Sequence, residues 1–321
     1  MHNNTEICLQ FFPNTSICTL FEGDYHLGLA AFINSLVRAG YNGTIWAGFR
    51  GDLPPWIDQL RRLNSNSNEY MVTDLVLLVF VPVVTDMHFA NHKPQFMLDL
   101  INGPARECKY LWYFDPDIFI RCRWSFFMDW QRHGIALCQD LVNNILPENS
   151  PLRQSWVEIA SRIGLIGPQP LNYYFNSGMV GVSSTHLSFL RLWKSLIDQA
   201  EVTGCNLKEF MPGTREMPFH ACDQDALNIA AMFTEHPLTT MGPEAMGFVG
   251  GGFTMYHAIG IKPWRGSLLL RTLNGFPPSN ATKFFFSEAS TPIHYYSTWR
   301  LFSKRFACTI SAFVGRFYRR R

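Results

Sequence analysis

Three features of this 321-residue chain predict an α/β fold built on a mixed, mostly parallel sheet. Short apolar runs alternate with helical patterns, the 47% hydrophobic content suits a large core, and no repeat recurs at a fixed period. The first strand is "SICTLF". From Asp24 to Ala39, Leu29, Ile33, Leu36 and Val37 share one helical face, with Asp24 as cap and Gly40 as stop. "TIWAGF", "LVLLVFVPV" and "KYLWYF" continue the strands, followed by "GIALCQD" and "NSGMVGVS". Ser188 to Val202 and Asp223 to Phe233 read as helices. "RRLNSNSNEY" and "LIGPQPLNYY" read as loops inside one domain.

Charge divides the chain unevenly. The total is +2, yet seven basic and no acidic residues lie between Arg300 and Arg321, leaving 20 basic against 25 acidic elsewhere. The eight cysteines form no CxxC pair, which suits reduced thiols. The longest apolar run, Leu75 to Val84, is about half of the ~20 residues a membrane span requires. With no secretory pattern at the amino terminus, the expected location is cytoplasmic.

The stretch "LWYFDPDIFIRC" places Asp115 and Asp117 one residue apart, straight after an apolar strand. In an open α/β sheet ligands bind beyond the carboxyl ends of the strands, and a turn at Pro116 can gather both carboxylates around one hard cation. Asp-Pro-Asp is also ordinary turn chemistry. A phosphatase-type nucleophile would want a small residue and then threonine after the second aspartate, whereas Ile118 and Phe119 follow.

Downstream come "YYFNSGMVGV", "HACDQDALNIA" and "HAIGIKPW", in that order. With the Asp115/Asp117 pair and "TLFEGDYHLGLAAFINSLVRAG", they resemble the nucleotide-sugar glycosyltransferases with a single Rossmann-like domain of the GT-A type, nearest to the retaining family 8. The likeness covers roughly residues 16–265. It implies a metal-dependent transferase that moves a sugar from a uridine diphosphate sugar to an acceptor with retention. Asp115, Asp117 and His257 would hold Mn²⁺ or Mg²⁺. Lys262 would contact the diphosphate beside Gly260, although one residue, Ile261, stands here where the family has two. Asn176, Asp223, Gln224 and Asp225 would hydrogen-bond the donor sugar, with Gln224 and Asp225 as the catalytic pair and Gln224 nearest the reacting carbon. Asp24 and Tyr25 would meet base or ribose, and Lys93, ahead of a helix, the diphosphate or sugar. The alternatives are a nucleotide-sugar-binding module without turnover and an inverting transferase of the same fold.

Gly250, Gly251 and Gly252 read as a hinge before His257. Trp124, Trp130, Trp156 and Trp264 suit core packing better than acceptor stacking. The catalytic domain is expected over residues 1–298 and a tail over 299–321. In that tail Phe302, Phe306, Ile310, Phe313 and Phe317 recur at helical spacing among basic residues. Such a helix suits the anionic inner face of the cell membrane; the alternative is packing on the domain. The acceptor can be carbohydrate, lipid-linked or protein. Nucleic acid is not expected, since no matching basic patch lies elsewhere.

Overall fold

A computed structural model describes residues 14–143 and 145–317. Cys8 and the basic residues Arg319 to Arg321 lie outside the described residues. The strands, in chain order, are β1 (Thr15–Glu22), β2 (Gly43–Arg50), β3 (Arg61–Arg62), β4 (Glu69–Thr73), β5 (Val76–Pro82), β6 (Tyr110–Phe114), β7 (Ile118–Ile120), β8 (Ile135–Gln139), β9 (Phe175–Ser183), β10 (Leu238–Met241) and β11 (Met255–His257). The α-helices are α1 (His26–Arg38), α2 (Phe89–Asn102), α3 (Trp124–Trp130), α4 (Pro151–Arg162), α5 (Leu187–Val202), α6 (Cys222–Phe233), α7 (Leu268–Leu273), α8 (Asn280–Ser287) and α9 (Thr298–Val314).

Nine strands form one sheet in the order β10-β8-β9-β6-β1-β2-β5-β4-β3, and β7 pairs with β11 in a second, two-stranded sheet. In the large sheet only β4 and β9 run against the other strands, so the expected mixed, mostly parallel architecture is present. Alternation along β6 divides the core: Leu111 and Tyr113 join α2, α4, α5 and α6 on one face, while Trp112 and Phe114 join α1 and α3 on the other. Both faces are covered, which is why the parallel strands read as nearly continuous apolar runs. Trp124, Trp130, Trp156 and Trp264 are buried, as their core reading required.

Three local expectations need correction. "RRLNSNSNEY" is not a loop throughout, since Arg61–Arg62 pairs antiparallel with Glu69–Thr73 as β3 and β4. Asp24 does not cap α1: it sits in a 3-10 turn, Gly23–Tyr25, and α1 starts at His26 without a side-chain cap. Arg265 captures the Asp24 carboxylate instead, and a bidentate guanidinium outcompetes a helix end as a partner. Lys93 lies inside α2 rather than ahead of it. His88 caps that helix by accepting the Ala90 N–H at Nδ1, so the helix begins five residues before Pro94, which its pattern would have placed at the start.

The carboxyl-terminal helices α7, α8 and α9 form a third apolar cluster with Ala31 of α1 and Phe119 of β7. Asn34 fastens this layer. Fully buried on α1, it donates to the carbonyls of Glu288 and Ile293 at 2.6 and 2.9 Å and accepts the Ile293 N–H at 2.9 Å. Asn34→Ala therefore strands three buried backbone groups and is expected to lower stability by about 3 kcal/mol in urea unfolding. A loss below about 1 kcal/mol would show that the layer does not depend on this side chain.

Candidate active site

The turn after β6 explains why two like charges end a buried strand. The Asp115 N–H donates to the Gly178 carbonyl at 2.7 Å, extending the ladder with β9 by one residue. Pro116 has no N–H to continue it. The Ile118 N–H then closes the turn on the Asp115 carbonyl at 3.0 Å, and the chain re-enters pairing as β7. β7 lies antiparallel to β11 with Ile118 opposite His257, and the Ala258 N–H donates to the Asp117 carbonyl at 2.9 Å. Two segments about 140 residues apart are thereby joined.

The result is a cluster of three donors. One ligand atom from each of Asp115, Asp117 and His257 lies within 4.8 Å of the others. His257 Nε2 is 3.4 Å from Asp117 Oδ1 and 3.8 Å from Asp115 Oδ2. Two carboxylates and an imidazole suit a divalent cation of intermediate hardness. Gly178 completes the cradle: a Cβ there would stand 2.7 Å from His257 Cε1 and 2.9 Å from Asp115 Oδ2. Lys262 Nζ ion-pairs with Asp117 and also donates to the Ala258 carbonyl, so the missing family residue beside Ile261 does not carry it away from the cluster. Burial alone would raise the Asp117 pKa; the His257 and Lys262 charges outweigh it and hold the carboxyl well below its ordinary value.

Lys93 is 3% exposed, and its ammonium reaches four groups: Asp115 Oδ1 at 3.1 Å, Asp223 Oδ2 at 3.0 Å, Ser177 Oγ at 3.2 Å and the Ser177 carbonyl at 3.3 Å. Burial pushes its pKa down, and the charges of Asp115 and Asp223 more than restore it, so the ammonium stays charged. Asp223 also accepts from Ser177 Oγ. Gln224 is locked at both ends of its amide, with Oε1 accepting the Ser177 N–H at 3.1 Å and Nε2 donating to Asp140 Oδ2 at 3.2 Å. Asn176 donates to the same Asp140 oxygen at 2.6 Å, and its Oδ1 accepts the Gly178 N–H at 2.9 Å.

All these groups line one cleft of 640 Å³, together with Tyr25, Asp225, Gly260 and Arg265. Of the residues singled out from the sequence, Asp24 alone is absent from the cleft wall; it contributes by holding Arg265, whose guanidinium covers the Tyr25 ring at 5.2 Å. Asp225 lies deeper than the others, accepting from Tyr174 Oη and from the Ala221 N–H, each at 2.8 Å. Asp140, Ser177, Tyr113 and Arg265 were missed. Asp140 ends the strand "GIALCQD" as Asp115 ends its own, and a carboxylate at a strand's carboxyl end was the available signal. The glycines before His257 do not all serve as a hinge. A Cβ on Gly252 would overlap the Glu244 carbonyl, and Arg121 holds the Gly252 carbonyl.

Burial pushes the Asp225 carboxyl up to about 7, against the lowering effect of its bonds to Tyr174 and the Ala221 N–H. A folded-state pKa above the unfolded one means that the folded chain binds the proton more tightly. That contribution is complete below about pH 4 and is lost as pH rises through about 7. Denaturation midpoints measured between pH 5 and 8.5 should therefore fall with pH, and Asp225→Asn should flatten the decline. An equally steep decline in the variant would remove Asp225 as its source.

No protein-family model and no curated protein sequence matches this chain. Solved structures do. The bifunctional glycosyltransferase WbbM, in its apo form, superimposes with a TM-score of 0.55 at 14% identity over 91% of this chain and 52% of its own, so the present chain spans about half its length. An active-site mutant of LgtC gives 0.51 at 14% identity, covering 89% of this chain and 99% of the other. The galactosyltransferase LgtC in complex with donor and acceptor sugar analogs gives 0.50 at 16% identity, over 90% and 99%. At such identities the likeness is one of fold, and the fold is that of the GT-A glycosyltransferases.

Proposed function

We propose that the protein is a metal-dependent glycosyltransferase that moves a sugar from a uridine diphosphate sugar to an acceptor hydroxyl with retention of configuration. The observation that carries this reading is the convergence of Asp115, Asp117 and His257 in a cleft that Asn176, Asp223 and Gln224 also line. Mn²⁺ or Mg²⁺ held by the three donors would supply Lewis-acid stabilisation of the departing diphosphate. Lys262 and Arg265 add positive charge on the same side, and Tyr25 beneath them offers an aromatic surface to the nucleoside. Asn176, Asp223 and Gln224 would hydrogen-bond the sugar. Lys93 acts through Asp115 and Asp223 as a positioning residue, because its ammonium is enclosed by protein groups.

The state of the carboxylates supports the retaining reading. An inverting transferase needs a free carboxylate base opposite the leaving group. In this cleft Glu22 is paired with Arg50, Asp115 and Asp223 with Lys93, and Asp117 with Lys262; Asp140 and Asp225 are held by amides, a hydroxyl and a backbone N–H. Gln224 is neutral and its amide oxygen is engaged, so it orients rather than attacks. The acceptor oxygen would then form its bond to the anomeric carbon on the face from which the diphosphate leaves, passing its proton to a departing phosphate oxygen.

Asp115→Asn and Asp117→Asn should each lower metal-dependent transfer by at least about 100-fold without unfolding the protein. Gln224→Ala should lower turnover while sparing metal–nucleotide binding. Turnover that persists in both aspartate variants at limiting Mn²⁺ would refute the metal assignment, and an inverted product anomer would refute retention. Donor binding without hydrolysis or transfer would favour the binding-module reading.

No helix among the described residues is long and apolar enough to cross a membrane. We further propose that α9 rests on an anionic membrane surface. It packs on the domain through Leu301, Cys308 and Ser311, while Phe302 (61%), Phe306 (59%), Phe313 (57%) and Phe317 (76%) are exposed. Serine at these four positions should abolish sedimentation with phosphatidylglycerol vesicles at about 1 M salt, where screening leaves mainly the apolar contribution. Unchanged sedimentation would assign the stripe another partner.

A further inference from the structure

A groove of 570 Å³ separates α8 from α9. Three cations line it, Lys283 from α8 and Arg305 and Arg316 from the α9 side, with no carboxylate in its wall. The Ser287 and Thr309 hydroxyls line it too but donate to the Phe284 and Arg305 carbonyls, and Phe286 and Ala312 make part of its wall apolar. The Arg305 guanidinium is held in place, donating from Nε to the Phe286 carbonyl at 2.9 Å and from Nη2 to the Ser287 carbonyl at 3.2 Å. Glu288, whose charge reaches Arg305, is buried and paired with Arg38 at 3.2 Å. Among the described residues neither Lys283 nor Arg316 makes an ion pair.

The groove also has a fixed relation to the exposed aromatic stripe. At ~100° per residue, Arg305, Thr309, Ala312 and Arg316 fall between the buried face of α9 and the face bearing Phe302, Phe306, Phe313 and Phe317. Phe313 belongs to both, lining the groove while remaining exposed. A ligand with a negative head and an apolar tail could therefore place the head among the three cations and the tail along the phenylalanines. A phosphate oxyanion is the matching head, since guanidinium and ammonium donors suit its tetrahedral oxygens.

We propose that this groove binds the phosphate of an anionic phospholipid, fixing the protein on the bilayer at one orientation. The inference rests on membrane contact by α9 and adds a specific headgroup site to it. Diffuse attraction predicts that every cation near the surface contributes alike, about 1 kcal/mol or fivefold in affinity. A built site predicts that Lys283, which lies on α8 outside the amphipathic stripe, counts for more than Lys304, which lies on α9 but outside the groove.

The test is a partition measurement of the full chain with vesicles of 30% phosphatidylglycerol in phosphatidylcholine, comparing wild type, Lys283→Ala, Lys304→Ala and the groove-filling Thr309→Trp. Lys283→Ala and Thr309→Trp should each weaken binding at least tenfold, and Lys304→Ala, on the side of α9 away from the phenylalanines, at most about fivefold. Donor hydrolysis, the check on folding, should be unchanged in all three. Equal losses from Lys283→Ala and Lys304→Ala, with Thr309→Trp harmless, would overturn the headgroup site while leaving membrane contact intact. Wild type that ignores the vesicles would overturn both. Glycerol phosphate at 1 mM protecting the protein as well as vesicles do would assign the groove to a soluble phosphate and also overturn the proposal.

Discussion

The site depends on one buried ammonium. Lys93 lies on α2, Asp115 ends β6, Ser177 belongs to β9 and Asp223 to the first turn of α6, and Lys93 Nζ touches all three. A charge this enclosed is tolerated only when paired and hydrogen-bonded, and two carboxylates this close need a cation between them. Four elements from distant parts of the chain therefore have one arrangement in which their polar groups are satisfied together. That arrangement aims Asp115 at the β7–β11 pair, where Asp117 and His257 wait. Electrostatics on one side and strand pairing on the other close the donor cluster.

A second consequence concerns rigidity. Gln224, Asn176 and Asp140 form a chain of hydrogen bonds anchored on backbone N–H groups, so the polar wall beside the cluster is set before any ligand arrives. A preorganised polar wall stabilises developing charge without reorganising. Gly178, too crowded for any side chain, lets Asn176 lie close to His257 and Asp115.

Much of this was legible in the sequence, for identifiable reasons. Apolar runs revealed β1, β2, β5, β6, β8 and β9 because both sheet faces are covered there, whereas the short β3, β7, β10 and β11 and the edge-side β4 gave no such run. Asp115, Asp117, His257 and Lys262 were legible because their chemistry confines them to short patterns, and the structure brings those four together. Asp140 was not, since a single aspartate at a strand end has no distinctive company. Asp24 looked like a cap because local spacing cannot show that Arg265, 241 residues away, competes for it. Lys93 was placed ahead of α2 because Pro94 suggested a helix start that a histidine cap moved back. The carboxyl-terminal helix shows a further limit. Its periodicity defined an aromatic face, but only the fold shows that Leu301 and Cys308 pack inward while the phenylalanines remain exposed.

The central claim is that the Asp115–Asp117–His257 cluster and the amide wall bind metal and nucleotide sugar as one unit. Calorimetric titration of the protein with a uridine diphosphate sugar, with and without Mn²⁺, tests this most directly. The account predicts that Mn²⁺ tightens donor binding at least about tenfold and that the donor tightens Mn²⁺ binding by the same factor, as linkage requires. Donor affinity indifferent to Mn²⁺ would contradict it.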